Sequence, residues 1–356
     1  MAHPSRSKVL LEWLRTYPGP VDLGDSGAAD ELVRDATRHG LAGLLRHQVA
    51  EAGLSLPPEA ARSLGVQAMA WEVAAVKVKT LLFRALKALE ARGVRPVLLK
   101  GYGLAARVYP RPLLRATSDV DLLVAPSELE EARLAMLSLG LSPEPDADEY
   151  YPPQYRHHLA FGSRAGLVEV HFRPMANWGL PWDGDLLLAR ARRGTLDGRE
   201  VRFLCPEDEL VYLALHAAAH MLTRVGWLYD LKLLVNAHPA LEWKRVVSVA
   251  RDEARLPAAT FYAFDAARRA VGAAFPEDVM AALAPPRVAV AAARRVFSDQ
   301  HLVDGYLTGH KKVWAAAKLV LADSPARVGL FALRRLVWNA RHSAVKRFPR
   351  LGLVVP

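Results

Sequence analysis

The sequence predicts an α+β protein in which a small mixed sheet is flanked by N-terminal and C-terminal helical regions. Apolar residues recur three and four apart from residue 5 to 92 and again after Pro206, as on helices with one buried face. Between those regions lie short apolar runs punctuated by turn residues, the pattern of strands. A chain of 356 residues is also long enough for two or three cores. The expected divisions are residues 1–93, 94–205 and 206–356, with no internal repeat or low-complexity tract.

Each element follows from local signals. EWLRTYP and AADELVRDATRHGLAGLLRHQVAEAG read as helical, with Gly53 as the stop. Pro57 and Pro58 open a long helix that ends at Gly93, with basic residues in its last turns where the helix dipole favours them. From Val94 the pattern alternates: VRPVLLK is a strand, GLAARVY a short helix and RATSDVDLLV a second strand. SELEEARLAMLSLG is a helix with Ser127 as N-cap and Gly140 as stop. Residues 143–153 form an acidic, proline-rich loop. YRHHLAFGS and GLVEVHF are strands joined by a tight Arg-Ala-Gly turn, and TLDGREVRFL is a hairpin around Asp-Gly. PEDELVYLALHAAAHMLTRVGWLYDLKLLVNAH is helical, and further Ala- and Arg-rich helices run to the end.

Composition narrows the function classes. The longest stretch free of Asp, Glu, Lys and Arg, Leu210 to Thr223, is too short to span a bilayer. The N-terminus has no apolar segment followed by a cleavage site, and the single cysteine, Cys205, excludes an internal disulfide. A cytoplasmic protein is expected, with Cys205 packed at a strand end. A net charge of +10 favours anionic partners, although arginine spread along the whole chain weakens that inference.

The second strand poses the chemical question. On a strand, residues i and i+2 face the same side, so Asp119 and Asp121 project together while Val120, Leu122 and Val124 enter the core. Adjacent carboxylates on a rigid face repel each other and are costly to desolvate. On repulsion alone, Asp121→Asn would leave the fold intact or slightly more stable. A divalent cation relieves both penalties, and hard oxygen ligands suit Mg²⁺, with Mn²⁺ as the alternative. Glu169 in VEVHF is the best third acid, because it too lies in an apolar strand. His171 shares its face, placed to orient a ligand carboxylate or contact substrate.

An apolar strand ending in Lys100-Gly101, then SDVDLLV, then VEVHF and LALHAAAHML resembles the nucleotidyltransferase superfamily typified by DNA polymerase β. It is most similar to the bacterial family catalogued as uncharacterised nucleotidyltransferases. The resemblance covers about Val94 to Leu234. It implies a nucleotidyltransferase core that is Mg²⁺-dependent, uses an NTP and has Asp119, Asp121 and Glu169 as metal-binding catalytic acids. Gly101 takes the turn where backbone approaches the triphosphate, and Lys100, Arg115 and Ser118 join it as nucleotide-binding residues. Most superfamily members have Gly-Ser at that turn, whereas this chain has Lys100-Gly101-Tyr102-Gly103. Lys100 and Arg115 read either as phosphate contacts or as solvated loop charges.

His216 and His220 lie four apart, on one helical face, with Arg224 a turn further. That face either packs over the core and lines an acceptor site with Trp227 or Asp230, or is a plain buried histidine face. From Ser324 to Pro356 there is no acid, and Arg327, Arg334, Arg335, Arg341, Lys346, Arg347 and Arg350 alternate with apolar residues. Such a segment touches anionic membrane or RNA, or, as preferred here, docks on its own domain.

The function expected is transfer of a nucleoside monophosphate from an NTP to a hydroxyl, phosphate or amine of a small molecule, protein or RNA, with release of pyrophosphate. The rival is a non-catalytic nucleotide-binding or toxin–antitoxin-type regulatory protein on the same fold. A third reading is nucleic-acid binding through the basic tail.

Overall fold

A computed structural model describes residues 8–19, 26–144, 156–164, 166–176, 180, 182–304 and 317–347. The expected acidic loop, the middle of the Arg-Ala-Gly turn and the last residues of the basic tail lie largely outside them. The helices α1 (Lys8–Thr16), α2 (Ser26–Arg38), α3 (Ala42–Glu51) and α4 (Pro58–Glu90) form the N-terminal region. α2 and α3 read as one helix in the sequence. They separate at Gly40, whose left-handed φ of +72° ends the first, while Leu41 N–H closes back on the Ala36 carbonyl at 2.7 Å. α4 begins and ends where Pro58 and Gly93 place it.

The middle of the chain builds a seven-stranded mixed sheet. Its strands are β1 (Val97–Leu98), β2 (Asp119–Leu123), β3 (Ser142–Pro143), β4 (His158–Ser163), β5 (Gly166–His171), β6 (Arg192–Leu196) and β7 (Arg199–Phe203). Their spatial order is β3-β4-β5-β2-β1-β7-β6. β2 pairs parallel with β5 and antiparallel with β1, and β1 pairs parallel with β7. The helices α5 (Tyr102–Val108) and α6 (Leu129–Ser138) follow β1 and β2. Ser127 is not the N-cap of α6. A 3-10 turn precedes the helix, and the Glu128 carboxylate accepts the Ala125 N–H instead. A longer acidic side chain reaches back across that turn, which a serine hydroxyl does not.

After α7 (Gly184–Arg190), α8 (Pro206–Ala219) and α9 (Val225–Ala237) cover one face of the sheet. The sequence reads these as a continuous helical stretch. The chain breaks between them at Met221 and Leu222, both left-handed (φ +57° and +53°), so Arg224 starts α9 rather than extending α8. Cys205 is buried at the end of β7 as expected, and burial pushes its thiol up to about 12.

Two hydrophobic cores flank the sheet. Val120, Leu122, Val168 and Val170 face the C-terminal half of α4 and α6. Leu123, from the alternate face, joins a larger core with α1 to α3, α8, α9 and α10 (Pro257–Val271). Each core therefore draws on more than one of the three sequence segments. In the basic helix Pro325–Arg347, Val328 is buried, while Leu330, Leu333, Leu336 and Val337 are exposed, so part of its apolar surface faces outward among the described residues.

α9 approaches the end of α2 closely enough to exclude a side chain. A Cβ built on Gly226 would lie 2.5 Å from the His39 carbonyl oxygen. Gly226→Ala is expected to destabilise the protein by about 1–3 kcal/mol through overpacking, read as a lower denaturant midpoint with an unchanged slope.

Candidate active site

The parallel register of β2 and β5 places Asp121 directly opposite Glu169. Asp119, two residues earlier, shares their face by strand alternation. The apolar neighbours Val120, Val168 and Val170 point into the α4 core, so the acids are left on the face that α8 covers. The Asp121 side chain is fully buried, while those of Asp119 and Glu169 are about a quarter exposed.

Two cations offset this charge. The Lys100 ammonium lies 2.9 Å from Asp119 Oδ2 and 2.7 Å from Asp121 Oδ2. Burial works against its charge, but the carboxylates of Asp121, Asp119 and Glu169 hold its pKa above that of an ordinary lysine. His171 Nε2 lies 3.3 Å from Asp121 Oδ1 and 3.4 Å from Glu169 Oε2. Burial alone would lower the imidazole pKa, yet hydrogen bonds to both carboxylates, with their charges, raise it to about 9. Glu169 is pushed up by burial, but His171, His158 and Lys100 bring it down to about 2. The repulsion expected between the aspartates is thus already offset within the chain.

Gly101 supplies the turn from β1 into α5 with φ +71°. An added Cβ would press on the Thr117 methyl at 3.3 Å and sit 3.5 Å from the Asp119 carbonyl, so the glycine keeps this turn against the start of β2. Ser118 is exposed, its hydroxyl 3.5 Å from Asp119 Oδ1.

Arg115 occupies a different setting from the one expected of a phosphate clamp. Its guanidinium is buried and forks onto Asp230, with Nη2 at 2.8 Å from Oδ2 and Nε at 3.0 Å from Oδ1, while Nη1 donates to Thr117 Oγ1 at 3.2 Å. Tyr109 donates its hydroxyl to Asp230 Oδ1 at 2.8 Å. Arg115 and Asp230 therefore form a buried bond between the β2 approach and α9, not an open lining of a pocket.

α8 lays Tyr212 and His216 along one side, with His220 at its C-cap. The rings of His216 and His220 are 4.7 Å apart, and Trp227 packs against both at 5.0 and 5.1 Å. His216 is half-buried and held well below the ordinary imidazole pKa, first by burial and then by the charges of Lys100, His220, Arg115 and His171. The Tyr212 hydroxyl is raised by burial and then by Asp121, Glu169 and Asp119. Tyr212 thus feels the charge of the acid cluster from the α8 side. Tyr212 was missed in the sequence, although its position four residues before His216 continues the same helical stripe.

The donor set fits a hard divalent cation. It comprises three carboxylates on one face, and among the described residues the buried Asp121 Oδ2 has no aligned hydrogen-bond donor, only the Lys100 charge at 2.7 Å. The lysine ammonium between the aspartates shows that the pocket already accepts positive charge at that point. Asp119 and Asp121, with Glu169 across the strand pair, are the residues that would hold it.

The family model described as uncharacterised nucleotidyltransferase matches residues 25–272. No curated protein matches the chain. Among solved structures, the solution structure of the antibiotic-resistance factor ANT(2'')-Ia aligns at 18% identity with a TM-score of 0.35. It covers 47% of this chain and 85% of that one. At this level it carries no argument.

Two measurements test the site's electrostatics. Asp230→Ala leaves the buried Arg115 charge unpaired and is expected to cost about 3–5 kcal/mol in chemical denaturation. His171 titrates near 9 folded against 6.5 for the free side chain. Its stabilisation is therefore complete below about pH 6.5 and lost as pH rises through about 9. In chelator, the wild-type melting temperature should fall across that window, and His171→Gln should remove this component of the fall.

Proposed function

The chain belongs to the uncharacterised nucleotidyltransferase family, and from that premise we propose a Mg²⁺-dependent transfer of a nucleoside monophosphate from an NTP to an acceptor hydroxyl, phosphate or amine, releasing pyrophosphate. The observation that carries this reading is the register Asp121 to Glu169, which gathers three carboxylates on one sheet face with Asp119. A divalent cation bound there would supply charge to activate the attacking oxygen and stabilise the leaving pyrophosphate.

The chain's own residues prepare that chemistry. His171 orients both Asp121 and Glu169, and it helps to hold Glu169 ionised, so Glu169 need not lose a proton to receive a cation. The low pKa of Glu169 favours charge compensation over taking the acceptor's proton. Lys100 balances the aspartates, and were a divalent cation held there its ammonium would be available to the phosphates of an NTP. Gly101 and Ser118 adjoin Lys100 and Asp119 in the chain, and Ser118 is exposed beside the acids. Arg115 acts here by fixing the β2 approach against α9. The acceptor sits between the acids and the α8 stripe of Tyr212, His216 and His220. α8 excludes bulk water from the buried Asp121 side, which strengthens each charge interaction there.

A second reading, nucleotide binding without turnover, is favoured by one observation. Lys100 lies between the aspartates, where it competes with a metal. One assay separates the two readings. With labelled NTP, Mg²⁺ and cell extract, wild type should release pyrophosphate and label an acceptor, and Asp121→Asn should fall to background with a native circular dichroism spectrum. Full turnover by Asp121→Asn would remove the metal assignment. No turnover by wild type, together with retained NTP binding, would select the second reading. The metal-free Asp121→Asn protein should also melt slightly lower, because Lys100 and His171 each lose a charged partner.

A further inference from the structure

Beside the carboxylates, but outside their face-to-face arrangement, the structure gathers three imidazoles. His158 on β4 is the direct cross-strand partner of His171 on β5. His157 sits immediately before β4, where its carbonyl accepts the N–H groups of Phe172 and Arg173 and fixes it against the exit of β5. The ring centroids lie 4.3 Å (His157 to His158), 5.1 Å (His158 to His171) and 5.6 Å (His157 to His171) apart. One nitrogen from each ring lies within 4.8 Å of the other two.

Hydrogen bonding adds an independent observation. The Nδ1 atoms of His158 and His171 are both buried and have no hydrogen-bond partner among the described residues, and His171 as a whole is only 4% exposed. A buried polar nitrogen left without a partner costs free energy that native structures rarely tolerate. The opposite nitrogen of His171, Nε2, faces the carboxylates of Asp121 and Glu169. A histidine whose one nitrogen donates to a carboxylate while the other is left as a free donor atom has the arrangement of a metal ligand braced by an acid.

We propose that His157, His158 and His171 form a second cation site, selective for a borderline divalent transition ion of the Zn²⁺ type and distinct from the carboxylate site. Three imidazole nitrogens match the ligand preference of such ions and not of Mg²⁺, whose ligands are hard oxygens. Three protein ligands leave the fourth tetrahedral position open to water or to a substrate atom, as in sites that take part in reactions. On binding, the ion replaces the proton on the ligating nitrogen of His171, and that proton goes to solvent. The rings need to close by about 1 Å to reach the nitrogen separations of a tetrahedral site with bonds of about 2.0–2.1 Å. The site stands whether or not Asp119, Asp121 and Glu169 perform transfer.

Cobalt(II) is a suitable probe, because its visible spectrum reports coordination number. Titration of the metal-free full chain should give one equivalent of a tetrahedral-type band, displaced by one equivalent of Zn²⁺. His157→Gln and His158→Gln should each weaken binding by about tenfold or more, while Asp119→Asn should retain the band. X-ray absorption of the zinc-loaded wild type needs no variant to fold, and it should show a shell of about three imidazoles. A featureless cobalt titration would overturn the proposal. So would an oxygen-only shell, or a band lost in Asp119→Asn and kept in both histidine variants. Absence of nucleotidyl transfer with the cobalt band intact would leave this site standing and remove only the transfer reading.

Discussion

The pairing of β2 with β5 is the constraint on which the site depends. Parallel register sets Asp121 against Glu169, and strand alternation then adds Asp119 to the same face. Three carboxylates so placed are tolerable only because two cations stand among them. Lys100 bridges the aspartates, and His171 joins Asp121 to Glu169. A one-residue slip of β5 would turn Glu169 and His171 into the α4 core and bring Val168 and Val170 to the acids. The apolar alternation of both strands prevents that slip, so the same valines that form the core also aim the acids.

Around this pair the helices have separate tasks. α4 and α6 bury the apolar face of the sheet, which leaves the other face free to carry charge. α8 and α9 close over the charged face, one with the Tyr212, His216 and His220 stripe and the other with Asp230. The Arg115 to Asp230 bond ties α9 to the segment leading into β2. A buried pair of this kind adds little net stability over an apolar substitute, but breaking it is costly, so it specifies geometry more than it stabilises.

Much of the fold was legible because its signals are local. Proline starts and glycine stops bounded α4, and the Asp-Gly turn announced the β6 to β7 hairpin, where Asp197 and Gly198 are both left-handed. The strand acids were legible as charge set in apolar runs. The breaks at Gly40 and at Met221 and Leu222 were not, because they interrupt helical periodicity without disturbing it on either side. Ser127 misled because capping preference was read without the 3-10 turn that puts Glu128 in reach of Ala125. The opposition of His158 and His171 was countable from the hairpin turn, but nothing local marked it as chemistry.

The sequence by itself determined which residues carry charge on which strand face, since a period of two needs only neighbours along the chain. It also determined the family, through motifs confined to short segments. Tertiary structure alone decided the partners. Lys100 and Arg115 are both basic residues beside the same motif, yet one faces Asp119 and Asp121 and the other is spent on Asp230, 115 residues away. Long flexible side chains find their counter-charges through space, and the energy of an ion pair depends on separation and burial, neither of which is a property of sequence position.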